Sequence, residues 1–342
     1  MSQKPSPPGE EEPACTAALL YAPHQAAGRF SNPWRQADRG PRDVLRWKLG
    51  TNPYDKSRPP RVPALENDGS YLRDHRAADS VTWIGHSTLA VQDAGEVFLT
   101  DPHFGLRALV PRRHLPPGVP LAAVPPDAFA VLSHNHYDHL DAWTVARLPA
   151  AFDWYVPLGL AAWLARRRAA GGRTATELDW WQATRRGRWN LTCLPAQHWS
   201  NRLGVARNST LWCSWLLDSG RRRYFFAGDS GYFGGFAEIG RRFAPIDVAF
   251  LPIGAYEPRW FMAYPHMNPA EAYRAFRDLR AQWMVPMHWG TFDLTDEPLD
   301  LPPQDLAAAV AAQAGDPSRV RLLAVGERWQ IPEMAAKTGS IA

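Results

Sequence analysis

The sequence predicts an α/β chain in which two mixed β-sheets pack face to face with helices outside, and three observations lead there. The 342 residues, 45% hydrophobic and 21% charged, are enough for a large core. Short apolar runs bounded by polar or glycine-containing turns recur in both halves of the chain. Helix signals alternate with those runs in the second half.

Taken in chain order, residues 1–28 carry Pro, Glu and Ser with little periodicity and read as a disordered tail. Residues 29–79, rich in Pro, Arg and aromatics such as Phe30, Trp34, Trp47 and Tyr54, read as an irregular arm lying over the domain. The domain proper is expected over 80–332, with a second tail at 333–342. Ser80–Val91 and Glu96–Leu99 flank the turn signal Asp93-Ala94-Gly95, the pattern of a hairpin. Ala128–Leu132 reads as a buried strand that ends at a histidine cluster. Leu191–Leu194, Thr210–Leu217, Arg223–Phe226, Val248–Pro252 and Trp283–Met287 read as further strands. Asn268-Pro269-Ala270-Glu271 supplies a cap, a proline at the first helical position and a glutamate three residues after the cap. The helix it starts should run to about Arg280.

Composition removes several function classes. Cys15, Cys193 and Cys213 have no Cys-x-x-Cys spacing, so neither a zinc ribbon nor a redox pair is indicated. No apolar run approaches the roughly 20 residues of a membrane span. The opening MSQKPSPPGEEEPA is unlike a signal peptide. The expectation is a cytoplasmic protein whose membrane contact, where it has any, is peripheral. Of 38 basic residues 34 are arginine, and the formal net charge is +4. Clusters at Arg166-Arg167-Arg168, Arg185-Arg186, Arg221-Arg222-Arg223 and Arg241-Arg242 read first as solvated faces and second as attraction to an anion. They lack the interleaved aromatics of a nucleic-acid surface.

The chemistry concentrates in Ser133-His134-Asn135-His136-Tyr137-Asp138-His139-Leu140-Asp141, a His-x-His-x-Asp-His run directly after an expected strand. His134 and His136 share one face of an extended segment and can grip one metal; Asp138 and His139 follow the turn and can face a second. One loop does not complete a zinc site, so further donors should stand at later strand ends. His198, Asp229 in Gly228-Asp229-Ser230 and His288 in His288-Trp289-Gly290 do so. Each of these alone is more often a structural residue; together they reverse those odds. Asp141 reads as the cap of a helix starting near Ala142. His86 and Asp101 are candidates for orienting the metal-binding rings.

The order His-x-His-x-Asp-His, His, Gly-Asp-Ser, His resembles the metallo-β-lactamase superfamily. From Trp83 to Phe292 the chain resembles the phospholipase D branch that hydrolyses N-acyl-phosphatidylethanolamines. That likeness rests on Gly85-His86-Ser87-Thr88, Leu99-Thr100-Asp101-Pro102, Glu177-Leu178-Asp179-Trp180-Trp181, Pro252-Ile253-Gly254-Ala255-Tyr256-Glu257-Pro258-Arg259-Trp260-Phe261-Met262 and His288-Trp289-Gly290-Thr291-Phe292. It implies an αββα sandwich of the metallo-β-lactamase fold and two Zn2+ per chain, other divalent metals being alternatives. The first metal would take His134, His136 and His198, the second Asp138, His139 and His288, with Asp229 bridging. It further implies attack by a metal-bridging hydroxide on a phosphodiester, with release of an N-acylethanolamine and a phosphatidic acid. His266 and Tyr137 would touch the phosphodiester, and Tyr256 and Arg259 join them as candidate substrate contacts. A phospholipid substrate and a homodimer are the partners expected, and nucleic acid is not. The alternatives are a lactonase acting on an anionic small molecule and, from another class, a metal-binding protein without turnover.

Overall fold

In the computed structural model, which describes residues 15–35, 39–167 and 175–333, successive side chains of the central strands enter opposite cores. Phe98, Phe129, Val131 and Tyr155 enter the core shared by the two sheets. Their neighbours Leu99, Ala130, Trp154 and Val156 enter a second core with Val145, Trp163 and Leu164 of the outer helices. Strands buried on both faces explain why these segments read as unbroken apolar runs.

The N-terminal residues form a helical turn, α1 (Ala17–Leu20), a short ribbon of β1 (Gln25–Ala26) and β2 (Arg29–Phe30), α2 (Pro41–Leu49) and α3 (Tyr71–Asp74). The first sheet then begins with β3 (Ser80–Gly85), β4 (Thr88–Asp93), β5 (Glu96–Thr100) and β6 (Phe129–Val131). Helix α4 (Ala142–Val145), β7 (Asp153–Pro157), α5 (Ala161–Ala165) and β8 (Thr176–Leu178) follow. The second sheet holds β9 (Ala183–Arg186), β10 (Trp189–Leu194), β11 (Ser214–Asp218), β12 (Arg223–Phe226), β13 (Ile246–Pro252) and β14 (Ala281–Met287). Among its connections are α6 (Gly235–Phe243), α7 (Arg259–Met262) and α8 (Pro269–Asp278); α9 (Pro302–Ala312) precedes β15 (Arg328–Gln330), which returns to the first sheet.

Strand order is β15-β3-β4-β5-β6-β7-β8 in one sheet and β14-β13-β12-β11-β10-β9 in the other. Both sheets are mixed: β5 to β8 and β12 to β14 are parallel, the rest antiparallel. Phe98 joins the sheets by edge contacts to Trp189 at 5.3 Å and Tyr224 at 5.6 Å. Fully burying a phenylalanine contributes about 3 kcal/mol, so this aromatic seam is a principal source of stability.

Three expectations are corrected. Residues 1–28 are not uniformly a tail: residues 1–14 lie outside the described residues, but from Cys15 the chain packs on the domain. Leu20 is buried, its carbonyl accepts from the Trp181 indole at 2.8 Å, and Tyr21 donates to Glu238 at 2.7 Å. The apolar run Ala17–Tyr21, diluted by the polar residues before it, is what finds α6. The run Ser80–Val91 is two strands, broken where Gly85 and His86 adopt φ of 127° and 54°. Ser214, rather than Thr210, opens β11.

Other expectations meet observed elements at or near their bounds. Helix α8 starts with the reciprocal Asn268–Glu271 capping box and ends at Asp278. Most of the arginine clusters form ion pairs instead of a continuous basic face: Arg186 with Glu96 and Asp153, Arg222 with Asp79, Arg223 with Asp218 and Arg241 with Glu238. Arg168 and residues 334–342 lie outside the described residues.

Asp141 caps α4, accepting from Trp143 N–H at 3.1 Å and Thr144 N–H at 3.0 Å, and also accepts from Gly105 N–H at 2.9 Å. Replacing it with alanine removes a cap and strands a buried amide, so Asp141→Ala should lower unfolding free energy by about 2 kcal/mol. Guanidinium titration reads this directly, and an unchanged midpoint would contradict the capping role.

Candidate metal centre

The C-terminal ends of β3, β5, β6, β10, β12 and β14 converge, and each delivers a donor just past its last residue: His86, Asp101, the 134–139 loop, His198, Asp229 and His288. In the first group His134 Nε2 lies 2.8 Å from His136 Nδ1, and His198 Nε2 lies 3.2 Å from the same atom. His198 Nδ1 is 3.0 Å from the Pro265 carbonyl, which can only accept, so the proton sits on Nδ1 and Nε2 presents its lone pair. His134 Nδ1 is held 2.9 Å from Ser133 Oγ.

In the second group His139 Nε2 and His288 Nε2 each lie 3.5 Å from Asp138 Oδ2. They lie 3.1 Å from Asp229 Oδ2 and Oδ1 respectively. His139 Nδ1 donates to Asp101 at 2.6 Å, again fixing a tautomer whose Nε2 faces inward. Asp101 is itself held by the Ser133 N–H at 2.7 Å. His86 Nε2 sits 3.0 Å from Asp138 Oδ2 and orients that carboxylate. Asp229 Oδ2 is also 4.0 Å from His134 Nε2 and 3.9 Å from His198 Nε2, so its carboxylate stands between the two groups.

This His/Asp cluster can bind metal. His136 Nε2 is buried and has no hydrogen-bond partner, and His139 Nε2 and His288 Nε2 face only the Asp229 and Asp138 carboxylates. An orphaned buried atom costs about 1–3 kcal/mol, a penalty that a cation held by these nitrogens and carboxylates removes. A donor set of imidazoles and carboxylates suits zinc and neighbouring divalent metals.

The electrostatics point the same way. Burial opposes ionisation of Asp138 and Asp229, but the attraction of His139 outweighs it and holds both carboxyls well below their ordinary range. Burial likewise pulls His139 and His288 down, while Asp229 and Asp138 more than reverse it: His139 is raised well above its ordinary value and His288 to about 9. His134, His136 and His198 stay neutral because desolvation dominates, lowering His136 to about 3 and His198 to about 4. Without metal the cluster therefore keeps its carboxylates ionised by holding protons on the rings that would otherwise face a cation.

A cavity of about 590 Å³ opens over the cluster. His136, Asp138, Asp229 and His266 line it together with Val44 and Trp47 of α2, Phe261 and Met262 of α7, Trp199 and Leu294. Among the described residues, Arg39 and Arg207 are its only other ionic residues. A larger cavity, about 960 Å³ and lined in part by Arg107, Arg112 and Trp143, includes none of the cluster's residues.

A model of the β-lactamase superfamily domain matches residues 96–289. An N-acyl-phosphatidylethanolamine-hydrolyzing phospholipase D 1 of Caenorhabditis elegans is 38% identical over 266 residues, 73% of this chain and 75% of the relative. The chain belongs to the metallo-β-lactamase superfamily, in its N-acyl-phosphatidylethanolamine-hydrolysing phospholipase D-like branch. An uncharacterized protein of Mycobacterium tuberculosis, Rv0906, is 36% identical over 319 residues, covering 89% of this chain and 84% of its own length. Among solved structures, Igni18, a metallo hydrolase from the archaeon Ignicoccus hospitalis, superposes with a TM-score of 0.57 at 20% identity, covering 75% of this chain and all of its own. The fold and the cluster thus place the chain among the superfamily's metal-dependent hydrolases.

The residues singled out from sequence divide in two. His134, His136, Asp138, His139, His198, Asp229 and His288 come together, and His266 Nδ1 lies 3.8 Å from Asp229 Oδ2 at the cavity floor. Burial lowers the His266 pKa well below its ordinary value, so this ring is neutral. Three others do not line that cavity. The Tyr256 hydroxyl is taken by Asp305, away from the cavity, because the chain turns after Ala255 at φ 63°. Arg259 grips Glu271 at 2.9 and 3.0 Å and the His266 carbonyl at 3.0 Å, so it braces the His266 loop from behind. Tyr137 accepts from Leu203 N–H at 3.1 Å under the Arg202 guanidinium, the loop-packing role. Sequence reasoning missed Val44 and Arg39 of the arm, and Arg207. No local motif signals them, because they reach the cavity only through tertiary folding.

Asp229→Ala should abolish most metal binding, read as metal per chain by mass spectrometry; full occupancy would detach this carboxylate from the centre. The metal-free chain carries a further signature. A raised pKa at His288 contributes stability that is complete below about pH 6.5 and lost as pH rises through about 9. Since a metal needs the neutral ring, zinc uptake at pH 7 should release protons, and fewer of them above pH 9, where His288 has already lost its own. Calorimetry in buffers of different ionisation enthalpy measures this, and proton-free uptake at pH 7 would contradict the charge assignment.

Proposed function

We propose that the chain is a two-zinc phosphodiesterase that hydrolyses N-acyl-phosphatidylethanolamine, or a closely related glycerophosphodiester, to an alcohol and a phosphatidic acid. The observation that carries this reading is the apolar cavity over the cluster: Val44, Trp47, Phe261 and Met262 suit hydrocarbon chains, while the cluster at its floor suits a phosphate. The branch membership supports the same substrate class. A small polar lactone would leave those walls unused.

In this reading His134, His136 and His198 hold one metal, Asp138, His139 and His288 hold the other, and Asp229 serves both. Bound there, the metals supply water activation at neutral pH and positive charge beside a phosphoryl oxygen. The chain's own groups do the rest. Asp101, Ser133 and the Pro265 carbonyl fix which ring nitrogens face inward. Neutral His266, at the floor and braced by Arg259, donates a hydrogen bond to a phosphoryl oxygen, where charge accumulates during displacement. The apolar walls exclude water from the acyl chains and align the diester over the cluster.

His266→Ala should retain metal while lowering kcat by about 10²- to 10⁴-fold. Loss of metal in that variant would instead make His266 a ligand. The substrate is tested by following cleavage of a bis-aryl phosphodiester and of N-acyl-phosphatidylethanolamine by zinc-loaded protein. Turnover of both is expected. Turnover of the aryl diester alone would remove the lipid from the reading, and turnover of neither by a fully loaded protein would remove the phosphodiesterase.

A further inference from the structure

The cavity of about 960 Å³ contains none of the metal-binding groups and is walled mainly by the loop after β5, at residues 104–107 and 112–117. In that loop Arg107 and Arg112 form an antiparallel bridge, so they stand opposite each other, and both line the cavity. Like charges in that relation repel. Arg113 comes next in the chain and is only 5% exposed. Its Nε donates to the Gly105 carbonyl at 3.2 Å and its Nη2 to the His103 carbonyl, leaving Nη1 without an acceptor among the described residues. Burial lowers its pKa to about 10, and the nearby Asp141 carboxylate offsets only part of that.

The other fixed charges around this cavity are matched. Lys56 pairs with Asp293 at 2.6 Å and Arg58 with Asp300 at 3.1 Å, and Asp141 accepts from the amides of Gly105, Trp143 and Thr144. Among the described residues no carboxylate forms an ion pair with Arg107, Arg112 or Arg113. We propose that this cavity is a second ligand site, separate from the metal centre, that binds a soluble organic phosphate monoester: its phosphate on the three arginines, its organic body along Phe104, Leu106 and Trp143.

A buried or opposed guanidinium with only neutral partners is costly, and an anion placed among the three removes both the repulsion and the unmatched burial. Guanidinium forks fit phosphate oxygens two at a time. A phosphate monoester carries a charge of about −1.5 to −2 at neutral pH and three acceptor oxygens, which suits three cations better than a single carboxylate does. The rest of the ligand follows from size and lining. Pockets for small organic ligands occupy roughly 300–1,000 Å³, and this one is far larger than an inorganic phosphate. Leu106 and Trp143, 56% and 45% exposed, offer it apolar surface that a bare ion would leave unused. The inference stands apart from the lipid-diester reading, because none of these residues holds the candidate metals.

Titration calorimetry of the full zinc-loaded chain with phenyl phosphate, inorganic phosphate and phenol tests this, with turnover of a soluble bis-aryl phosphodiester measured in parallel. Phenyl phosphate should bind in two events, one at the metal centre and one in the cavity, and metal-free Asp229→Ala should keep the cavity event alone. The double substitution Arg107→Ser with Arg112→Ser should weaken the cavity event by about tenfold or more, with metal content, aryl-diester turnover and Tm unchanged, since both side chains are exposed and neither touches the cluster. Arg112→Ser alone should weaken it in the same direction and serves where the pair does not fold. Inorganic phosphate should bind the cavity at least about tenfold more weakly than phenyl phosphate, for want of an apolar body. A single event lost with the metal, or a cavity event that the arginine variants leave unchanged, overturns the proposal. Equal affinity for phenol overturns the phosphate contact, and equal affinity for inorganic phosphate overturns the organic ester. A wild type that shows both events but cleaves neither diester would support this site while removing the phosphodiesterase.

Discussion

The structure depends on holding two carboxylates, Asp138 and Asp229, ionised among imidazoles where water hardly reaches. A buried carboxylate with no partner is far too costly to persist, so the rings must be presented with their inward nitrogens already chosen. That choice is made one layer out, by Asp101 on His139, Ser133 on His134 and the Pro265 carbonyl on His198. Each of those groups is in turn a strand end or a tight turn. His86, Asp101, Gly228 and His288 take φ of 54°, 33°, 58° and 61°, so the backbone leaves its strand abruptly and turns the side chain inward. At Gly228 the requirement is doubled, because a Cβ would stand 2.4 Å from Ser133 Cβ. Donors from both sheets meet only if the two sheets end at the same level, and the aromatic seam of Phe98, Trp189 and Tyr224 between the sheets holds them in that register.

What could be read in the sequence follows from what is local. The His-x-His-x-Asp-His run is legible because its donors lie within six residues after a strand, and spacing alone distributes them to two faces. Asp229 and His288 are legible as donors at the ends of apolar runs. The hairpin turn at His86 is hidden because apolarity continues through Gly85 into Thr88–Val91, leaving only a glycine and a histidine to mark the break. Tyr256 and Arg259 mislead for the opposite reason. They adjoin cavity residues in sequence, but neither spacing nor residue type reveals that Asp305 and Glu271 wait on the other side. The extent of the N-terminal tail is obscured because composition averages the polar residues 1–14 with an apolar segment that has its own docking place.

The arm shows why the catalytic domain taken by itself is an incomplete account of the site. Asn32 donates to the His198 carbonyl at 2.9 Å and Trp34 to Gln197 at 3.0 Å, so the arm clamps the backbone on both sides of that donor. Trp34 stacks on Trp180 and Phe233 at 5.5 and 5.0 Å, which ties the clamp to the second sheet's surroundings. Farther along, Trp47 and Val44 complete a wall of the cavity. The superfamily match starts at residue 96 and includes none of these.

Chemistry and selection therefore have separate structural origins in this chain. The donors sit at strand ends whose positions are dictated by sheet packing, and that packing tolerates little change because side chains on both faces of the central strands are committed. The cavity walls come from α2, α7 and the loop bearing Arg207, elements that bury few side chains and can vary without disturbing the donors. A change in α2 can alter what reaches the cluster while leaving every candidate ligand in place, whereas a change at Asp101 or Ser133 would misdirect the rings whatever the substrate. Metal chemistry is in that sense a property of the fold, and substrate range a property of what leans against it.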